Sequence, residues 1–392
     1  MLLIILQGVG FSPRWLEQGE EDGRPIDAQA LLDGQAAKRL ATGIPDGRPD
    51  YVIQQFNLVA SERGKKEWKV VADQAFLYEK PGITHLQTVR AWIYDAKGEA
   101  TEVISQEGKY TTQGRKIELF GKVQARLPDG FLIQSDYLIH EPEKRTIEIP
   151  YPWPVTGDGR QLTQKPSAGS ASQELHQTLV FSSLGARINT DSGKIDLLSQ
   201  TVVTLDRTDS LHPEQAFMER RALPGNKPKH GVPDRTLIAS DSATVLRSKM
   251  EATFKMSERT PISRRFVRVL QPRTYARGRT ATINFGAKSN RLHWLELDQD
   301  VLIKDRETSE TEESLYPTQE KKAPLQRSTH TPLNYATAGR AEFDSESDKV
   351  TLKVFPQAYQ DSDTLTGDWM ILHRDNDMVE VLHGNAYSTG NE

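Results

Sequence analysis

The chain has no cysteine. That excludes disulfides, thiolate nucleophiles and cysteine-ligated zinc, although it assigns no compartment. Long hydrophobic runs are also scarce. The opening run MLLIIL breaks at Gln7-Gly8, well short of the roughly 20 apolar residues a spanning helix needs. It also lacks the basic flank of a signal peptide. Two readings of it stay open: the tail of a membrane anchor begun upstream, or a short exposed apolar end. Apolar residues make up only 36% of the chain, low for a compact globular protein. Either much of the chain is linker, or its strands keep one polar face throughout. A net charge of −4 over 392 residues offers no general attraction for nucleic acid. The length leaves room for two or more domains.

Catalytic patterns are missing as well. The nine histidines are scattered, with no i, i+4 pair of the zinc-protease kind. His373 and His383 are spaced to meet across a hairpin, but isolated surface histidines account for them equally simply. Gly8-Val9-Gly10 and Gly157-Asp158-Gly159 lack the strand-then-helix setting of a phosphate loop. No Gly-x-Ser-x-Gly elbow occurs. No catalytic residue, metal ligand or cofactor is assigned, and the expectation is a protein that is not an enzyme.

What the chain has is alternation. In Lys116–Ile149, Ile117, Leu119, Val123 and Ala125 point one way with Gly121 in their row. Lys116, Glu118, Lys122, Gln124 and Arg126 point the other way. A period of two is a half-buried strand. Pro128-Asp129-Gly130 makes a turn: Pro presets φ, Asp bonds its own backbone and Gly takes positive φ. A second strand carries Phe131, Ile133, Tyr137 and Ile139, and a third ends in Ile147 and Ile149. Strands at such short intervals predict a sandwich, jelly roll or barrel. Upstream, Trp68–Tyr78 alternates in the same way, and Val89, Ala91 and Ile93 share a row.

The remaining stretches fall into place around these strands. Residues 1–50 read as an anchor remnant and a tether with one helix-like piece at Ile26–Leu40. Ser167–Ser172 is a flexible linker. Ala186–Leu205, Ile238–Phe254 and Ala281–Ile303 resume the strand pattern. Residues 206–235, with four prolines, read as an inserted loop, and Asp305–Lys322 as a charged loop or linker. The block Ala338–Asn385 echoes the first at an offset of 232–233 residues: Lys349-Val350-Thr351-Leu352 matches Lys116–Leu119, and Leu365–Trp369 matches Ile133–Tyr137. Val379-Glu380-Val381 matches Ile147-Glu148-Ile149. Such self-similarity marks a repeated supersecondary unit.

Gly121-Lys122-Val123, Asp129-Gly130 and Ser135-Asp136-Tyr137-Leu138, followed by Ile147-x-Ile149, resemble the OstA-like repeat of lipopolysaccharide-transport proteins. Residues 51–165 look most like LptC, with Phe56-Asn57-Leu58 leading in and Pro154-Val155…Gly157 closing. Residues 338–385, with Leu365-Thr366-Gly367-Asp368, look more like LptA. The chain is about twice the length expected of LptC alone, which suggests an LptC-like head at 51–165, a divergent LptA-like region at 166–337 and a terminal repeat at 338–392.

The resemblance implies an all-β, open antiparallel β-jelly roll with an apolar trough for lipopolysaccharide. The trough would be lined by Val89, Ala91, Ile93, Ile117, Leu119, Val123, Ala125, Ile133, Tyr137, Ile139, Ile147 and Ile149. The later copy would add Val350, Leu352, Leu365, Trp369, Val379 and Val381. A sealed sandwich core is the alternative reading of the same rows. The resemblance also implies edge-strand pairing with the LptF/LptG transporter jelly rolls and with LptA or LptD. It further implies a periplasmic location with an N-terminal anchor. Open edges at Tyr51–Val59 and Val379–Ala386 would serve as joints. Whether the trough runs on through 166–337 stays open.

Seven arginines crowd Arg259–Arg279. Guanidinium forks match phosphate, so Arg264, Arg265 and Arg268 are candidates for lipid phosphate or an anionic membrane face. A solvated strand face or loop is the plainer reading. A β-rich carbohydrate-active enzyme and a ligand-free envelope bridge are the competing functions. The enzyme would need a fixed coil period and a cluster of inward acids, and neither is visible.

Overall fold

The structure is a computed structural model. It describes residues 48–62, 64–80, 82–159, 177–207, 234–271, 274–285, 292–305, 335–344, 347, 349–360, 363–373 and 378–388. The expected N-terminal tether, the 167–172 linker, and nearly all of the 206–235 and 305–322 loops lie outside these residues. The described chain is strand and turn throughout, with only short 3₁₀ turns such as Gln113–Arg115. It divides into two compact units, residues 1–125 with 134–154, and residues 126–133 with 155–392.

The first unit holds β1 (Tyr51–Glu62), β2 (Lys65–Tyr78), β3 (Ile83–Tyr94) and β4 (Ala100–Thr111), paired in succession as an antiparallel meander. β5 (Lys116–Arg126), β6 (Leu132–Glu141) and β7 (Thr146–Asp158) follow. Directly opposed residues on neighbouring strands share a face. Leu58, Val70, Ala91 and Val103 therefore form one row across β1 to β4. The strands fall out of step along a single line. Gln55 and Thr88 take φ of 53° and 54°, and the pairing skips Gln55, Asp73, Thr88 and Gln106 in turn. On β5 the line reaches Gly121 and Lys122, at φ 77° and 50°. A Cβ on Gly121 would lie 2.7 Å from Gln106 Oε1. Bulges of this kind bend a strand. Gly121, expected inside the apolar row, is instead the corner of its strand. Phe131, expected in the β6 row, precedes the strand and stacks on Phe181 with ring centroids 5.6 Å apart, inside the second unit.

The second unit begins with β8 (Gln177–Asn189) and β9 (Lys194–Arg207). Then come β10 (Asp234–Ser240), β11 (Ser242–Leu246), β12 (Glu251–Lys255), β13 (Val267–Leu270), β14 (Thr274–Gly278) and β15 (Thr280–Phe285). The long strands β16 (Leu292–Asp305) and β17 (Tyr335–Asp344) follow. β18 (Lys349–Lys353), β19 (Gln357–Gln360), β20 (Asp363–Thr366), β21 (Trp369–His373), β22 (Met378–Leu382) and β23 (Asn385–Ser388) complete it. The boundary expected at 337/338 falls inside β17, which pairs with β16 on one side and with β18 and β19 on the other.

The pairings resolve into two antiparallel sheets. One runs β8–β9–β11–β12–β15–β16–β17–β18–β21–β22. The other runs β8–β9–β10–β13–β14–β16–β17–β19–β20–β23. β8, β9, β16 and β17 belong to both. Between them, shorter strands come in pairs split at the same line: β10/β11 at Asp241, β14/β15 at Arg279, β18/β19 at Val354-Phe355, β20/β21 at Gly367-Asp368 and β22/β23 at His383-Gly384. The long strands cross it at Gln200 (φ 49°) and at Gln299-Asp300 (φ 63° and 51°). Glycine is needed where the two sheets crowd: a Cβ on Gly339 would lie 2.7 Å from Val354, and one on Gly367 2.4 Å from Val381.

Val354 and Phe355 take φ of 64° and 55°, a region costly for bulky and β-branched residues. They stand 233 residues after Gly121-Lys122, which hold the same pair of conformations. The sequence repeat is thus a repeat of the corner. Phe355 is 85% exposed, so its ring contributes little packing to offset the strain. Phe355→Asn, which tolerates this conformation, should raise stability by about 1 kcal/mol. A urea midpoint that stays put or falls at unchanged m would refute the strain.

Candidate functional site

In the second unit the apolar rows run unbroken from strand to strand. Ala186, Leu197, Ala243, Phe254, Ala281, Leu297, Ala341, Leu352, Met370 and Val381 are successive partners across the first sheet. Phe181, Val203, Ile238, Val269, Ala276, Ile303, Ala336, Ala358, Leu365 and Ala386 are the same across the second. The two rows face each other over a cleft. Val269, Gln271, Thr274, Ala276 and Ile303 line one wall, and Leu295, Leu297, Ala341, Phe343 and Val350 line the other. The cleft has a volume of about 30 Å³, so a chain-like ligand would have to part the walls.

The opposite faces of the sheets are polar in one case and apolar in the other. On the first sheet, Asp196, Thr244, Thr253, Thr282, Glu296, Glu342 and Thr351 form an outward row. Lys353 pairs there with Glu342 at 2.8 Å and Arg340 with Asp298 at 3.3 Å. On the second sheet, Val202, Leu237, Ala239 and Leu270 make a buried apolar cluster on the outer side, with Tyr275 against it. β9, β10 and β13 are therefore apolar on both faces, which alternation alone does not predict.

In the first unit, Val89, Ala91, Ile93, Ile117, Leu119, Val123, Ala125, Tyr137, Ile139, Ile147 and Ile149 are all buried, and so is Ile133, which the second unit claims. Tyr137 is committed by hydrogen bonding. Its hydroxyl donates to Glu118 at 2.9 Å, and the same carboxylate takes Lys109 at 2.5 Å and Lys116 at 2.9 Å. Burial alone would raise the Glu118 pKa, but the two ammonium groups outweigh it and hold the carboxyl below its usual range. Burial, and then the Glu118 charge, push the Tyr137 phenol up. Glu118 was read as an outward, solvated residue. It is instead the centre of a buried ionic cluster, kept by two cations because one partner would not repay its desolvation.

In the later copy, Val350 and Leu352 are buried, Leu365 and Val381 half-buried, and Val379 exposed. Trp369 is a correction. The register puts Met370, not Trp369, between Leu352 and Val381. Trp369 is 48% exposed on the other face, with the Lys353 ammonium 5.2 Å from its ring centroid. The cause is the break at Gly367-Asp368, which shifts the phase of β21 relative to the unbroken β6. His373 and His383 do not meet. His373 opposes Met378 and lies 2.9 Å from Glu380, while His383 lies beyond the far end of the β21–β22 pairing, 3.0 Å from Asp368.

The arginine-rich stretch holds a loop together. Arg265 donates to the Thr260 carbonyl at 2.9–3.0 Å and to that of Glu258. Arg279 donates to the Ile262 carbonyl at 2.7 Å and to Asp300 at 2.8 Å. Loop carbonyls without strand partners need donors, and these guanidinium groups supply them. Arg265 is thus engaged by backbone. Arg264 is exposed, and Arg268 sits half-buried in β13, opposite Arg277; Arg273 lies outside the described residues. Among the described residues no group of acids and histidines could hold a metal ion, and no helix is long and apolar enough to cross a membrane.

His140 gives the first unit a pH response. Its Nδ1–H donates to the Thr146 carbonyl at 3.1 Å, and burial pushes its pKa down to about 4. Its folded form stays neutral where the unfolded form takes up a proton, so stability falls as pH drops from about 6.5 towards 4. At about pH 5 the loss relative to pH 7 is on the order of 2 kcal/mol. His140→Leu should remove that difference from urea unfolding curves; an unchanged difference would show that other groups carry it.

No curated protein matches the chain. A solved structure similar to part of it is that of LptH, the LptA homologous periplasmic component of the lipopolysaccharide transport device of Pseudomonas aeruginosa. It is 14% identical, with a TM-score of 0.27, covering 37% of this chain and 80% of LptH. Residues 32–163 match the family described as lipopolysaccharide-assembly, LptC-related. That match takes in β1 to β7 and stops short of β8, so the N-terminal third of the chain is LptC-like, as its motif order implies.

Proposed function

We propose that the chain is a lipid-transport scaffold of the cell envelope that shields the acyl chains of lipopolysaccharide between facing apolar sheets. The observation that carries this reading is the pair of apolar rows facing one cleft in the second unit, in a chain whose first unit matches an LptC-related family. Each methylene removed from water is worth about 0.8 kcal/mol. An acyl chain of a dozen carbons thus gains on the order of 10 kcal/mol, enough to part walls held by dispersion and apolar burial. The scaffold itself is not catalytic, and the driving energy comes from its transporter. Its location is periplasmic, with attachment to the inner membrane through its N-terminal segment.

The edges support a bridging role. Among the described residues β1 pairs with β2 alone and exposes Tyr51, Val52, Ile53 and Val59. Among them, too, β22 pairs only with β21 and β23 only with β20, and they expose Met378, Val379, Leu382 and Tyr387. Open apolar edges are a liability in a solitary protein and a joint in one that adds strands from partners. On this reading one edge takes the LptF/LptG jelly rolls and the other LptA or LptD.

Photo-crosslinkers at Leu297 and Phe343, and at Leu119 and Ile139, should capture lipopolysaccharide during active transport, whereas one at outward Thr351 should not. Capture equal at all five would overturn the reading. Because the chain has no cysteine, nitroxides can be placed cleanly on the outer faces at Thr351→Cys and Lys304→Cys. Their separation should lengthen when lipid is added; an unchanged distance with lipid bound would place the ligand outside the cleft.

A further inference from the structure

The outer face of the second sheet changes character along its length. Ile303, Ala336, Ala358, Leu365 and Ala386 belong to the inward row, so the residues between them point outward. From β16 to β23 one outward row is Lys304, Tyr335, Tyr359, Thr364 and Tyr387, successive partners across the strands. The row beside it is Leu302, Thr337, Gln357, Thr366 and Asn385. The rings of Tyr335 and Tyr359 stack with centroids 4.5 Å apart. The Tyr359 hydroxyl donates to the side-chain carbonyl of Gln357, which holds the ring pair along the sheet. Tyr387 stands two strands beyond Tyr359, about 10 Å away, and the small Thr364 between them leaves a hollow with aromatic sides. Tyr387 is 62% exposed. Neither row holds a carboxylate, whereas the outer face of the first sheet carries Asp196, Glu296 and Glu342.

We propose that this face is a saccharide site, and that the saccharide of lipopolysaccharide lies across β17, β19, β20 and β23. The inference rests on the reading of the chain as a lipopolysaccharide scaffold and gives the non-lipid part of that ligand its own surface. The chemistry of the face selects the occupant. A sugar ring has C–H faces that lie well on the electron-rich face of a tyrosine. It also carries hydroxyls that both donate and accept, and Thr337, Gln357, Thr366 and Asn385 can answer them. A membrane or an apolar protein partner would call for aliphatic side chains, of which the two rows hold only Leu302. With no carboxylate to repel them, acidic substituents on the sugar are accepted. The Lys304 ammonium, 5.5 Å from the ring centroid of Tyr275, adds attraction for them at the β16 end.

The test uses the full chain and the water-soluble saccharide released from lipopolysaccharide by mild acid, followed by saturation-transfer NMR and titration. The wild type should transfer magnetisation to the sugar C–H protons. Tyr359→Ala and Tyr387→Ala should each weaken binding about fivefold, the worth of one aromatic contact. Tyr359→Phe, which keeps the ring, should bind as the wild type does. Trp369→Ala, which removes an exposed aromatic from the other sheet, should change nothing. Tyr387 lies exposed on an edge strand, so its variant keeps the fold and reports on the face itself. Alanine variants that bind like the wild type, or an equal loss in Trp369→Ala, would overturn the proposal. Lipid capture at Leu297 and Phe343 without saccharide binding would overturn this inference alone. Absence of both would overturn the lipopolysaccharide reading with it.

Discussion

Everything in this fold depends on making strands turn a corner without losing their neighbours. A pleated strand passing from one sheet to another must spend one or two residues outside the extended region, and every adjacent strand must do so in register. In the first unit the line runs through Gln55, Asp73, Thr88, Gln106 and Gly121. In the second it runs through Gln200, Arg279, Gln299-Asp300, Val354-Phe355 and Gly367. The conformations are costly for most side chains. They persist because the hydrogen-bonded ladders on either side fix both arms, and because Arg279 satisfies loop carbonyls beside the bend.

The corner decides where apolar surface goes. Once each strand is bent, both arms present an apolar row to the same space, and burial acts between the arms rather than against a separate layer of helices. In the first unit the space is filled to the point where the rows are fully buried, and an ionic cluster around Glu118 is buried with them. In the second unit a narrow cleft remains between the facing rows, at Ala276, Ala341 and their neighbours.

Much of this was legible in the sequence. Alternation located β5, and Pro128-Asp129-Gly130 marks a turn in which Gly130 takes φ of 88°. The repeat at 233 residues matched two corners that share no residue type. The cleft itself was not legible. Thr236-Leu237-Ile238-Ala239 is buried on both faces, so it shows no period, and strands split at a single residue look like loops. Trp369 was placed in the wrong row because a break at Gly367-Asp368 changes phase without changing spacing. Glu118 looked solvated because its partners, Lys109 and Tyr137, come from other strands.

The strands shared by both sheets have a mechanical meaning. β16 and β17 run through the bend as single unbroken chains, so the two walls are not separate plates joined by flexible loops. Any widening of the space between them has to be taken up as torsion at Gln299-Asp300 and at Gly339, while the ladders on either side stay intact. The fold is therefore clamped along its bend, and the spacing of the two walls is set by a few backbone angles.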